Sequence, residues 1–117
     1  MDRLRYMLDT NILSSLIRAP QGPVSAILAR RGHGTAYTSI IVAGELRFGA
    51  RKSGSAALTS RVEDLLATIT ILPLNADADR IYADTRLLLE EKGMPIGPND
   101  LLIAAHALSL SLIIVTD

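Results

Sequence analysis

Short apolar runs alternate along the whole chain with longer segments whose apolar residues recur every three or four positions. The run Arg5–Leu8 predicts a short buried strand, and Asn11–Arg18 a short helix. Pro20, Gly22 and Pro23 predict a turn, with Pro23 placed to open a helix that ends at Gly32. Ala36–Thr38 predicts a second strand after the Gly32-His33-Gly34 turn. Ser39 is positioned to cap a helix running to about Lys52, and Ser53-Gly54-Ser55 separates it from another reaching Ala67. The β-branched run Ile69–Leu72 predicts the third strand. Asn75 is expected to cap a long helix that stops at Gly93, and Met94–Pro98 to form a loop. Asn99 is then expected to cap a last helix to about Ser109, followed by a fourth strand over Leu112–Thr116.

Strands that alternate with helices imply an α/β sandwich around a mainly parallel sheet. In such sheets ligands bind beyond the carboxyl ends of the strands, where strand order reverses. Asp9, Ser39 and Asp117 each directly follow or end a strand, so they carry the closest interest. No repeat, low-complexity tract or long linker divides the 117 residues, so a single domain is expected.

Composition narrows the chemistry. The only aromatics are Tyr6, Tyr37, Phe48 and Tyr82, so the core must come from Leu, Ile, Val and Ala, and a base-stacking platform is not expected. Without cysteine there is no disulfide, no Cys-type zinc site and no thiolate nucleophile. Any metal is left to oxygen ligands or to His33 and His106. The most apolar segment, Leu101–Val115, is too short to span a membrane and is interrupted by His106, Ser109 and Ser111. With no export signal, the cytoplasm is the expected location. Zero net charge hides an asymmetry: residues 1–61 carry nine Lys/Arg and three Asp/Glu, residues 62–117 the reverse. Two solvated surfaces explain it, as does a basic face for an acidic partner beside an acidic site for a cation.

Four acids have contexts that matter. Asp9 follows Tyr6-Met7-Leu8, where it serves either as a helix N-cap or as a carboxylate aimed into the crevice. Glu45 has Ile41, Val42, Phe48 and Gly49 as helical neighbours and no cation among them. A partly buried carboxylate there needs a charge, hydrogen bonds or a metal, so structural and metal-linked roles stand level. Asp100 suits the first turn of its helix through the macrodipole, yet Ile103, Ala104 and Ala107 on the same side would carry it toward the sheet's top edge rather than solvent. Asp117 would face Asp9 if the fourth strand adjoins the first, and their repulsion would call for a divalent cation or a shared proton. Oxygen ligands alone point to Mg²⁺ or Mn²⁺. His106, six residues past Asp100, and His33, in a Gly-His-Gly turn, look incidental, while Arg47, Arg51 and Lys52 lie away from Glu45.

Taken together, Tyr6-Met7-Leu8-Asp9-Thr10-Asn11, Ala43-Gly44-Glu45-Leu46 with Gly49-Ala50, the stretch Gly97-Pro98-Asn99-Asp100 through Ala107, and Leu112–Asp117 resemble the PIN domain, and among PIN proteins the VapC-type toxins of bacterial toxin–antitoxin pairs. The match runs from Leu4 to Asp117. Each motif alone is weak, but the set in this order and spacing is specific. The resemblance implies a PIN-like three-layer sandwich and an Mg²⁺- or Mn²⁺-dependent endoribonuclease that leaves a 5′-phosphate. It places the catalytic and metal-holding acids on Asp9, Glu45, Asp100 and Asp117, with Asn11 and Thr116 as supporting polar residues. It further implies an RNA substrate, a homodimer, and a VapB-type antitoxin whose tail covers the active-site groove. Family members usually continue past the Thr116-Asp117 position through another strand. The chain is therefore read as one PIN-like domain over 1–117 lacking that segment, with an open edge on its fourth strand.

Two rival readings remain. A PIN-fold module that binds an antitoxin without cleaving RNA fits the absent segment but not the retained acids. An aspartyl-phosphate phosphotransferase also uses an Asp after the first strand. Enzymes of that kind related to haloacid dehalogenases carry a second acid two residues on, where this chain has Asn11.

Overall fold

In a computed structural model that describes residues 5–22, 25–26 and 36–116, the apolar runs become the strands β1 (Tyr6–Leu8), β2 (Ala36–Ser39), β3 (Thr70–Leu72) and β4 (Ile113–Val115). They form one parallel sheet in the order β3-β2-β1-β4. β1 pairs Leu8 with Thr38 on one side and with Val115 on the other. The chain thus builds outward from β1 to β3 and then returns to the opposite side of β1 for β4. The reversal lies between β1 and β4, so the crevice is expected beyond Leu8 and Val115.

Around the sheet are α1 (Thr10–Arg18), α2 (Ile40–Ser53), α3 (Ala56–Leu66), α4 (Ala78–Glu91) and α5 (Pro98–Ser109). Ile12, Leu13, Leu16 and Ile17 of α1 are buried, the spacing of a helix with one apolar face. Val42, Ala43, Leu46 and Ala50 do the same for α2. Ser39 caps α2 by accepting from the Ile41 N–H at 3.0 Å, as expected, and Gly54 ends the helix at φ 69°, in the left-handed region. The core joins these residues to Met7, Leu8, Val62, Leu66, Ile103 and Ala107. α1, α2 and α3 pack together, α4 lies along α5, and α5 also touches α2, β2 and β4.

Several boundaries differ from the sequence reading. α4 starts at Ala78 after Asp77 rather than at Asn75, whose side-chain oxygen instead accepts from the Ser109 hydroxyl at 2.8 Å. α5 starts at Pro98, which occupies its first turn, and Gly97 rather than Asn99 is the N-cap. In both cases a tertiary partner claims the amide that local rules assign to a cap. β4 is shorter than expected and lies at the sheet edge with Ile113 and Ile114 exposed, so the segment Leu101–Val115 is core only in part. The Pro23–Gly32 helix falls mostly outside the described residues, as do His33 and Asp117.

Candidate active site

The carboxyl edge of the sheet is tied down around Asp9. The buried Thr38 hydroxyl donates to the Leu8 carbonyl at 2.8 Å, and the Asp9 N–H donates to the Val115 carbonyl at 3.1 Å. These bonds fasten the end of β1 to β2 at Leu8 and to β4 at Asp9 itself. The Asp9 side chain accepts from the Ile12 N–H at 3.0 Å, so it caps α1, and the residue is half-buried. The two readings of Asp9, cap and site carboxylate, are compatible in one residue.

Glu45 is held by two hydrogen bonds. Its Oε1 accepts from the Thr10 hydroxyl at 2.6 Å and its Oε2 from the Asn99 amide at 3.2 Å. Thr10 follows Asp9 and Asn99 precedes Asp100, so one carboxylate on α2 is bonded to the immediate neighbours of both acids. Charge-assisted bonds of this kind supply the compensation that a half-buried glutamate on an apolar helix face requires. The sequence showed that Glu45 lacked a helical cation, but not that Thr10 and Asn99 would answer it.

Asp100 departs from expectation. It is exposed, as is every residue from 90 to 100. Asn11 and Thr116 are exposed as well, with Thr116 directly after the strand that adjoins β1. Asp117 is outside the described residues, although the condition set for it, β4 beside β1, is met. Among the described residues no three acids or histidines stand close enough to hold one metal ion together. The expected convergence of Asp9, Glu45 and Asp100 on a single cation is therefore not formed. Both Glu45 oxygens and one Asp9 oxygen accept from hydrogen-bond donors.

Two further expectations are answered. His106 is not incidental: it is fully buried and bonded at both ring nitrogens, to the Ser39 hydroxyl and the Pro73 carbonyl, each at 2.9 Å. Burial pushes its pKa down, opposed in part by the Pro73 carbonyl. Arg47 grips Glu63 of α3 with two guanidinium nitrogens at 3.0 Å, which accounts for it without a catalytic role. An open groove of about 320 Å³ runs between α1, α2 and α3, with Thr10, Ser14, Arg18, Glu45 and Gly49 on its walls.

Residues 6–117 match the PIN domain family. The chain is 38% identical to ribonuclease VapC2 of Haemophilus influenzae over 97% of its own length and 86% of that protein's. It is 35% identical to the tRNA(fMet)-specific endonuclease VapC of Shigella flexneri, again over 97% and 86%. Its fold is similar to a chain of the Rickettsia felis VapBC2 complex bound to a promoter DNA fragment, with a TM-score of 0.89 and 33% identity over 97% of this chain and 87% of that one. The strand-end Asp9, the bonded Glu45 and the helix-start Asp100 thus stand in a chain that belongs to the PIN-domain family, among the VapC ribonucleases.

Proposed function

We propose that this VapC-family ribonuclease hydrolyses RNA with Mg²⁺ or Mn²⁺ at the crevice beyond β1 and β4, with Asp9 and Asp100 as the cation-holding acids and Asp117 completing the pocket. The observation that carries the reading is the pair of bonds from Glu45 to Thr10 and Asn99, which draws both acid-bearing segments to one carboxylate. The donors are all hard carboxylate oxygens, and such sites suit a small divalent cation that keeps several waters and takes one or two protein carboxylates. Bound there, the cation would supply a Lewis acid for the scissile phosphate and lower the pKa of an attacking water. The chain's own residues divide the remaining work. The Asp9 cap on α1 holds one acid rigid, Glu45 spaces the two segments, and the exposed start of α5 leaves Asp100 open to substrate.

The Shigella relative supports a transfer RNA as the first substrate to try. The solved complexes support a VapB-type antitoxin as the restraining partner, with the groove beside Glu45 as its natural seat. Exposed Leu87 and Leu88 on α4 and Leu108 on α5 support a homodimer. The test is cleavage of total transfer RNA by the purified chain with Mg²⁺, Mn²⁺ or EDTA, beside Asp100→Asn. Cleavage that persists in EDTA, or that is undiminished in Asp100→Asn, overturns the proposal.

A further inference from the structure

α5 meets the β2–α2 segment through two side-chain bonds. At its exposed start Asn99 donates to Glu45, and seven residues later His106 bonds Ser39 in the core. Ser39 and Glu45 are themselves separated by six residues, and the later residue of α5 meets the earlier residue of the other segment. α5 also buries Leu101, Ile103, Ala105 and Ala107, and the two bonds add directional constraints on its axial register against α2.

The proton positions at the buried bond follow from chemistry. The Pro73 carbonyl can only accept, so Nε2 of His106 carries the hydrogen and donates to it. In the neutral ring Nδ1 then accepts, and the Ser39 hydroxyl donates to it. The Ser39 oxygen keeps a lone pair for the Ile41 N–H, the cap of the helix that carries Glu45. No polar side-chain atom in this chain of bonds lacks a partner, in agreement with the absence of unsatisfied buried side-chain atoms among the described residues.

We propose that His106 is a positioning residue for the ribonuclease site: through Ser39 it locks α5 to the N-cap of α2 and so sets Asp100 against Glu45. The proposal rests on the reading of Asp100 and Glu45 as site residues. His106 touches neither acid, and it lies in the core while Asp100 is exposed.

Two isosteric substitutions separate the link to Ser39 from the rest of the packing. In His106→Asn the amide oxygen stands where Nδ1 was and still accepts from Ser39, while the bond to Pro73 is lost. In His106→Gln the amide nitrogen stands where Nε2 was and serves Pro73, while the bond to Ser39 is lost. Ser39→Gly removes the same link from the other side and is a tolerated N-cap. The experiment measures kcat and KM for transfer RNA cleavage, the melting temperature, and hydrogen exchange at the Ile41 amide. His106→Gln and Ser39→Gly are expected to lower kcat by about 10-fold or more with KM little changed, as for lost outer partners of a metal site, and His106→Asn by much less. The double variant His106→Gln/Ser39→Gly should be no worse than the weaker single, because both cut one link. The Ile41 amide should exchange faster in His106→Gln than in His106→Asn. Equal losses in the Asn and Gln variants, or losses that merely follow the melting temperature, overturn the positioning role. If His106→Gln fails to fold, Ser39→Gly with unchanged kcat overturns it equally. A wild-type chain that cleaves no RNA while the Ile41 exchange still separates the two variants sinks the ribonuclease reading and leaves the link to Ser39 standing.

Discussion

The two acids proposed to hold the cation are mounted in opposite ways. Asp9 sits where three elements are fastened: its N–H is bonded to β4, its side chain caps α1, and Met7, Leu8 and Leu13 around it are almost wholly buried. Asp100 rides on the other helical pair, where α4 buries only Ala78 of its 14 residues and the chain is exposed from 90 to 100. Beyond that exposed start α5 buries Leu101, Ile103, Ala105 and Ala107, and two side-chain bonds tie it to the β2–α2 segment. A buried mounting for one acid and an exposed one for the other suit a site that must admit a long polyanion. They also mean that equal chemical changes on the two sides should have unequal consequences.

The largest expected effect breaks the pair itself. Asp9→Asn and Asp100→Asn should each lower RNA cleavage beyond the roughly 10–100-fold that loss of an outer partner costs, and EDTA should match them. Their stabilities should then be compared with Asp9→Ala. Asparagine caps a helix about as well as aspartate, whereas alanine costs about 1 kcal/mol, so only Asp9→Ala should melt early. At Asp100 the alanine and asparagine variants should melt alike, because that side chain is exposed and caps nothing. An Asp100→Ala protein that melts as early as Asp9→Ala would erase the contrast.

Packing extends the comparison to the helices. Leu13→Ala opens a cavity at a fully buried position of α1 and should cost about 2–5 kcal/mol by urea or thermal unfolding. Leu88→Ala on α4, where the side chain is half exposed, should change the monomer's stability by less than about 0.5 kcal/mol. In a homodimer that uses this face, sedimentation should instead show Leu88→Ala weakening self-association. Comparable losses of monomer stability at both positions would mean that α4 is as firmly packed as α1.

The sequence made one side of this comparison readable and hid the other. Asp9, Ser39 and the apolar face of α1 follow local rules, namely strand ends, N-caps and helical spacing, and the structure agrees at each. Glu45 was half readable: its lack of a helical cation was visible, but its donors lie 35 and 54 residues away in sequence. Asn99 and Asn75 each satisfy a local capping rule, yet both have distant partners that a local rule does not show. His106 lies six residues past Asp100, on another face of the helix. What that other face packs against depends on β2 and β3 being neighbours, and strand order is not encoded in periodicity. An apolar helix face shows which side meets the core, and this leaves the exposure of Asp100 at the helix start unread.

The smallest expected effect concerns the proton inventory of the buried histidine. His106 has its pKa lowered by burial below the ordinary value of 6.5, whereas the unfolded chain titrates near that value. Between the folded and the unfolded pKa, the unfolded state therefore binds a proton that the native state does not, and stability rises with pH across that window. The contribution is complete above about pH 6.5 and is lost progressively as the pH falls toward the folded pKa. Glu63, whose pKa Arg47 lowers by its hydrogen bond, loses its own contribution only below the usual carboxylate range, so the two windows are separate. Melting temperatures of the wild-type chain should accordingly slope downward on the acid side of pH 6.5, before the carboxylates titrate. His106→Asn should start lower but run flat through the same window. A wild-type curve that is flat there, or an unchanged slope in His106→Asn, would mean that the imidazole between Ser39 and Pro73 tolerates its charge.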